Sequence, residues 1–153
     1  MISLLVLDVD GVLTDGTVLL DEDGREAKTL FFRDVDAVFA ARRAGVRVAL
    51  LSGEATPLLD VIAGRLEVEA VRAGRKDKDA AIQELAAELG VPLEAVCYVG
   101  DAARDAPALA LVGLGLAPAD AAHAAQDAAD RVLDAPGGRG AVEEAVAVVL
   151  GSA

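Results

Sequence analysis

The stretch Ile2-Ser3-Leu4-Leu5-Val6-Leu7-Asp8-Val9-Asp10-Gly11-Val12-Leu13-Thr14-Asp15-Gly16 decides how the chain is read. Ile2 to Leu7 is a near-continuous apolar run, the pattern of a strand buried on both faces. It ends at two aspartates one residue apart. Runs of the same kind recur at Val46–Leu51, Val68–Val71 and Ala95–Val99, with weaker ones at Leu114–Ala117 and Arg131–Leu133. Between them the pattern predicts helices over Asp36–Ala44, Thr56–Arg65, Asp77–Leu89, Asp105–Val112 and Ala141–Leu150. Gly45 and Gly90 stand where helices end, and Pro57 follows Thr56 as a first-turn proline follows an N-cap. Such alternation predicts an α/β fold, with a mostly parallel sheet and helices on both faces. One segment breaks the rhythm. Thr17–Leu20, the polar turn Asp21–Gly24 and Arg25–Phe32 read as a β-hairpin over residues 17–32. The alanine-rich stretch Ala119–Ala129 reads as a helix or a helix-like connection.

The 153 residues predict one domain, spanning 1–153. A net charge of −12 argues against nucleic acid and against an anionic membrane surface as partners. Hydrophobic residues at 54% exclude a disordered chain, but 33 alanines and only four aromatics predict a core of small aliphatic side chains. Cys97 is the only cysteine and lies in an apolar run, so it reads as an inert core residue. His123 is the only histidine and reads as an exposed helix residue. A His-rich zinc site, a Ser-His-Asp triad and a Cys-His dyad are therefore hard to build. No apolar run reaches the ~18–20 residues of a membrane span, and the start lacks a basic leader, so the expectation is a cytoplasmic protein.

In open α/β sheets, ligands bind beyond the carboxyl ends of the strands. Asp8 to Gly16 follow the first run, Ser52-Gly53-Glu54 the second, and Gly100-Asp101-Ala102-Ala103-Arg104-Asp105 the fourth. Carboxylates gathered on one rim repel one another, and a hard cation resolves that repulsion. Mg²⁺ takes oxygen ligands and commonly bridges carboxylates to a phosphate, which makes Asp8, Asp10 and Asp101 the natural metal set. Gly11 and Gly16 allow tight turns near a ligand. Ser52 and Gly53, at a strand-to-helix turn, offer a hydroxyl and amides to phosphate oxygens. Asp21-Glu22-Asp23-Gly24 loosely matches a calcium loop but lacks the later ligand positions, and reads as a solvated turn.

These residues resemble the motif set of the haloacid dehalogenase-like phosphatase superfamily. Asp8 to Gly16 resembles its first motif, DxDGxxTDG. Leu51-Ser52-Gly53 is similar to the second. Gly74-Arg75-Lys76-Asp77-Lys78 resembles the third, with Lys78 rather than its neighbour Lys76 in the place of the phosphate-binding lysine. Gly100 to Asp105 resembles the fourth, GDxxxD. With only a hairpin between the first two motifs, the resemblance implies a three-layer α/β/α Rossmann-like fold without a cap domain. Gly137-Gly138-Arg139-Gly140-Ala141-Val142 resembles the GGRGAV element of 3-deoxy-manno-octulosonate 8-phosphate phosphatases. That capless group also includes nine-carbon ulosonate 9-phosphate phosphatases and phosphatase-like tails of acylneuraminate cytidylyltransferases. It implies a homotetramer in which hairpins meet centrally and a neighbouring subunit helps cover each site.

The resemblance further implies a Mg²⁺-dependent reaction on a small phosphorylated sugar acid. Asp8 is the implied nucleophile, forming an aspartyl-phosphate, and Asp10 the acid and then base. Asp8, the backbone carbonyl of Asp10, and Asp101 hold the metal. Ser52, Lys78 and the amides of Gly11 and Gly53 hold phosphate, and Asp105 positions Lys78 or a metal water. Arg139 is either a substrate contact or a solvated loop residue. Four departures stand out. Glu54 replaces the usual Arg after the second-motif Gly; it is either a partner of Arg65, three turns on, or a first-turn helix acid. Arg33-Asp34-Val35-Asp36-Ala37 lacks both glycines of the usual R-D-G-x-G, which bears on Arg33 as a substrate-side residue. Ala102 replaces the second Asp of GDD. The chain stops at Ala153, without a longer tail. The competing readings are a non-catalytic regulatory or scaffold subunit and a phospho-accepting receiver domain.

Overall fold

The structure, a computed structural model, describes residues 1–152. The central sheet has six strands: β1 (Leu4–Leu7), β4 (Arg47–Leu51), β5 (Ala70–Arg72), β6 (Val96–Val99), β7 (Leu114–Ala117) and β8 (Arg131–Val132). They run in the order β5-β4-β1-β6-β7-β8, every pair parallel. The chain leaves β1 for β4 on one side and returns to β6 on the other. The switch in strand order therefore falls at the carboxyl end of β1, where Asp8 begins.

Alternation along β1 sorts its side chains between two layers. Leu5 and Leu7 face a core completed by α1 (Phe32–Arg43), α2 (Pro57–Leu66) and α6 (Ala141–Val149). Leu4 and Val6 face a second core completed by α3 (Lys78–Leu89), α4 (Ala106–Leu111) and α5 (His123–Ala128). All four residues are fully buried. Alanines at 41, 81, 125, 141 and 145 are buried too, which lets helices approach the sheet without large side chains. Cys97 lies in the first core, and burial pushes its thiol well above the ordinary range. His123 is exposed at the start of α5.

Two expectations shift. The hairpin strands are only β2 (Leu19–Leu20) and β3 (Glu26–Ala27), and α1 starts at Phe32, four residues before Asp36. The Phe31 carbonyl already accepts the Val35 amide, so the segment expected to finish the hairpin turns instead into the first helical turn. Of Ala119–Ala129, only His123–Ala128 is helical. The hairpin turn is held by Asp21, whose Oδ1 accepts the amides of Asp23 and Arg25 at 2.9 and 2.8 Å. Between the first and second motifs there is only this hairpin and α1, and no cap.

Asp34 does what its sequence neighbours did not reveal. It is 1% exposed and caps the start of α6, accepting Gly140 N at 3.2 Å and Glu143 N at 2.9 Å. Burial raises its carboxyl above the ordinary value; the amides oppose that rise. The same cap seats the glycine-rich segment against the first motif. A Cβ on Gly137 would lie 1.8 Å from Gly11 O, and one on Gly138 would lie 2.3 Å from Asp15 N. Gly138 N donates to Val12 O at 2.9 Å. Glycine is required because two backbones touch here.

Candidate active site

Asp8 follows β1 and opens an irregular turn over Val9–Leu13. Asp10 (φ −74°, ψ 122°) and Gly11 (φ 85°, ψ −1°) have the dihedrals of a type II turn, which needs a positive φ at its third position. Thr14, fully buried, gathers the loop: its Oγ1 accepts Gly16 N at 3.2 Å and, at a long 3.4 Å, Gly11 N. The Gly11 amide, expected on phosphate, thus faces Thr14. Gly11 has a second role. A Cβ there would lie 2.0 Å from Asp101 Oδ2, so the carboxylate packs against the glycine Cα.

Asp8, Ser52 and Asp101 leave the adjacent strands β1, β4 and β6 and meet at one rim. With Asp10, Gly16, Gly53, Glu54, Lys78, Ala102 and Arg104, Asp8 and Asp101 line a cleft of ≈ 220 Å³. Lys78, the first residue of α3, is 2% exposed. Its Nζ lies 3.1 Å from Leu51 O, 3.1 Å from Asp8 Oδ1 and 3.7 Å from Asp105 Oδ1. Lys76 is exposed. Asp8 Oδ1 also accepts the Val9 amide at 2.7 Å. Asp8 is pushed up to about 7, chiefly by burial and against the pull of Lys78. Ser52 is 2% exposed, and its Oγ accepts Glu54 N at 3.1 Å.

Carboxylate oxygens of Asp8, Asp101 and Asp105 lie within 4.8 Å of one another. Asp105 is engaged on both oxygens: Oδ1 accepts the Tyr98 hydroxyl at 2.9 Å, and Oδ2 accepts the amides of Asp101 and Ala102 at 3.0 and 2.8 Å. These bonds make it the residue that orients the Asp101 loop. Asp101 is raised to about 6, first by burial and then by Asp105. An all-oxygen cluster with more carboxylates than ammonium groups fits a hard divalent cation, which would relieve both upward shifts. The side chain of Asp10 is not in this cluster. It turns instead to Lys28 of the hairpin, whose Nζ is 2.7 Å from Asp10 Oδ1.

Sequence reasoning missed Lys28 and Arg104. Lys28 lies in the hairpin, outside every motif, and Arg104 fills a variable position of the Gly100–Asp105 motif, so neither is marked by residue type. A second depression of ≈ 290 Å³ adjoins the first and shares Asp10, Gly16 and Glu54 with it; Lys28, Thr17, Val18, Glu26 and Thr56 complete it.

The substrate-side expectations need correction. Arg65 does not reach Glu54. Glu54 precedes α2, whereas Arg65 is in its last turn, roughly 12 Å further along the axis at ~1.5 Å per residue. Glu54 is not a first-turn acid either, since Thr56 is the N-cap; it lines both depressions. Arg33 is away from the cleft, over the Phe31 ring (4.9 Å) and beside Glu143 (3.6 Å), where it ties α1 to α6. Arg139 is exposed and outside the cleft lining; its charge helps hold Asp15 below the ordinary carboxylate value, behind the hydrogen bonds from Thr17.

Comparison with known proteins agrees with this geometry. Residues 22–113 match the family described as haloacid dehalogenase-like hydrolase. The chain is 36% identical over 149 residues to 3-deoxy-D-manno-octulosonate 8-phosphate phosphatase of Haemophilus influenzae, covering 97% of this chain and 83% of that one. Among solved structures it superposes on the corresponding phosphatase of Moraxella catarrhalis, in complex with magnesium, phosphate and KDO, with TM-score 0.95 at 28% identity, covering 99% and 87% of the two chains. The cobalt-bound phosphatase of Haemophilus influenzae gives TM-score 0.94 at 35% identity, covering 99% and 88%. The chain belongs to the haloacid dehalogenase-like hydrolase family.

Proposed function

We propose that this protein is a Mg²⁺-dependent phosphomonoester hydrolase acting on a small phosphorylated sugar acid of the 3-deoxy-ulosonate type. The observation that carries the reading is the buried Asp8–Lys78 pair at 3.1 Å, set beside Asp101 at the switch point of the sheet. Asp8 Oδ1 is held by Lys78 and the Val9 amide, which leaves Oδ2 to attack phosphorus. The bond from phosphorus to the sugar oxygen breaks, and Asp10 gives that oxygen its proton. Asp10 then takes a proton from water, whose oxygen attacks phosphorus; the bond to Asp8 breaks and phosphate leaves. Asp8, Asp101 and the backbone carbonyl of Asp10 would hold Mg²⁺, which when bound neutralises charge on the phosphoryl oxygens. Ser52, Lys78 and the Gly53 amide hold those oxygens meanwhile. The Gly11 amide takes part only by exchanging its long bond to Thr14.

The sugar extends from Asp10 into the second depression, between the hairpin and Glu54. The relatives favour an eight-carbon acid; Glu54, acidic where the motif resemblance implies an arginine for the eight-carbon group, favours a nine-carbon one. Support for the expected homotetramer comes from Val18, Leu19 and Leu20, apolar yet 43, 73 and 60% exposed on the hairpin. No helix among the described residues is long and apolar enough to cross a membrane; a cytoplasmic location remains part of this proposal. The reading is tested by phosphate release from octulosonate 8-phosphate and from nine-carbon ulosonate 9-phosphates, with and without Mg²⁺. Turnover of one, dependent on Mg²⁺, is expected. Equal, weak rates on both would reject the substrate class, and release unaffected by chelation would reject the metal.

A further inference from the structure

The two depressions share Asp10, which hands a proton to the departing alcohol in the reaction proposed above. That residue divides the site: the alcohol side is the hairpin depression, and the phosphoryl side is the cleft of Asp8, Lys78 and Asp101. Of the two, Arg104 lines only the phosphoryl cleft. Its Nη1 would be 3.5 Å from a Cβ on Gly53, so the guanidinium lies over the backbone that offers its amide to phosphate. Arg104 makes no ion pair and no side-chain hydrogen bond among the described residues, unlike Lys78 and Lys28. On its own segment, position 102 is alanine, and both oxygens of Asp105 are taken. Of the acids lining the cleft, Asp8 faces Lys78, Asp10 faces Lys28, and Asp101 belongs to the metal cluster. Glu54, on the shared wall, is the remaining counter-charge.

We propose that Arg104 is a phosphate-binding residue of this chain, clamping the phosphoryl oxygens from the open side while Lys78 holds them from the floor. This rests on the phosphatase reading above. A guanidinium offers two parallel donors to adjacent phosphate oxygens, a geometry an ammonium does not reproduce. An exposed, unpaired side chain is free to swing in over a bound phosphate and out when it leaves. The clamp recognises the phosphoryl group and not the sugar, so its effect is blind to the leaving group.

The experiment compares wild type with Arg104→Ala and Arg104→Lys, all loaded with Mg²⁺. Inorganic phosphate is titrated calorimetrically, and kcat/KM is measured on an aryl phosphate and on ulosonate phosphates. Hydrogen bonds between charged groups predict about a ten- to hundredfold loss in phosphate affinity for Arg104→Ala. Its kcat/KM should fall by the same factor on every ester, with Arg104→Lys in between. A loss confined to the ulosonate phosphates, with phosphate affinity unchanged, would overturn the clamp and assign Arg104 to the sugar acid. No loss in either assay would overturn it too. If wild type neither binds phosphate nor hydrolyses any ester, the phosphatase reading itself fails. Because Arg104 is exposed and unpaired, its replacement removes no packing.

Discussion

Lys28 Nζ lies 2.7 Å from Asp10 Oδ1, and the lysine side chain is only 9% exposed although the hairpin that carries it is largely solvated. The contact spans eighteen residues and anchors the hairpin to the rim. In the proposed reaction it also holds Asp10 on the side where the alcohol leaves. Lys28→Met keeps the aliphatic stem and removes the charge. It is expected to lower kcat on a ulosonate phosphate by about 10–100-fold, as loss of a charged hydrogen bond would. Lys28→Arg should recover part of it. Steady-state kinetics check this, and an unchanged kcat would remove Lys28 from the site.

Asp10→Asn keeps the shape and loses the transferable proton. General acid–base catalysis is worth about 10²–10⁴-fold, so kcat on a sugar phosphate should drop by that much. An aryl phosphate, whose leaving group needs less protonation, should suffer much less in the step that releases the alcohol. Burst kinetics separate the two steps, since the same variant also lacks the base for the second. An equal loss in the first step on both substrates would argue that Asp10 is not the proton donor to the leaving alcohol.

Asp8→Asn should bring hydrolysis of every ester to background, because the amide is no nucleophile. It also leaves Lys78 facing Leu51 O with its nearest carboxylate, Asp105, at 3.7 Å. Retained turnover in rate assays would sink the covalent mechanism.

Acidity and stability are linked through the same pair of acids. Asp8 sits near 7 and Asp101 near 6 in the metal-free protein, against an ordinary 3.8. Both bind protons more tightly folded than unfolded. Their contribution to stability is therefore complete below about pH 4 and lost as the pH rises through 6 and 7. Mg²⁺ competes with those protons, so the dependence of its effect is opposite. Thermal melts should show Mg²⁺ raising the Tm little near pH 5 and much near pH 8. A Mg²⁺ effect independent of pH would reject Asp8 and Asp101 as ligands.

Gly138→Ala should destabilise the fold and damage the site together. The new methyl would meet Asp15 N at 2.3 Å on a residue whose φ is +73°. Overpacking costs about 1–3 kcal/mol, and about 2–4 °C in Tm accompanies each kcal/mol at this size. Gly24→Ala is the control: its φ is +76°, but nothing lies within 4 Å of the new methyl. A melt showing equal losses for both would mean that backbone strain alone is at work.

Leu4–Leu7, Arg47–Leu51 and Val96–Val99 were legible because a strand buried on both faces must be apolar throughout, and no helix needs that pattern. The candidate residues at 8, 52 and 101 followed, since each comes directly or nearly so after such a run. The Phe32 start of α1 was not legible: aromatics suit either element, and Phe32, 72% exposed, offers no burial pattern to choose between them. Glu54 and Arg65 illustrate the same limit. Their helical spacing is readable, but only the position of the α2 N-terminus shows that they stand at opposite ends.

By itself, then, the order of residues determined the α/β layering, the motif set and the acidic rim, because these depend on hydrophobic period and on chemistry local to strand ends. Lys78 was readable from its motif; tertiary structure alone decided what else meets that rim. Lys28 arrives from a hairpin, Arg104 from a turn after β6, and Gly137 and Gly138 from the far end of the chain. Lys28 carries no local signature, because a lysine in a hairpin is compatible with any loop; Arg104 and the two glycines fall in recognisable motifs, but their contacts are not readable there. Their roles come from where the parallel sheet places loops distant in sequence, side by side at one edge.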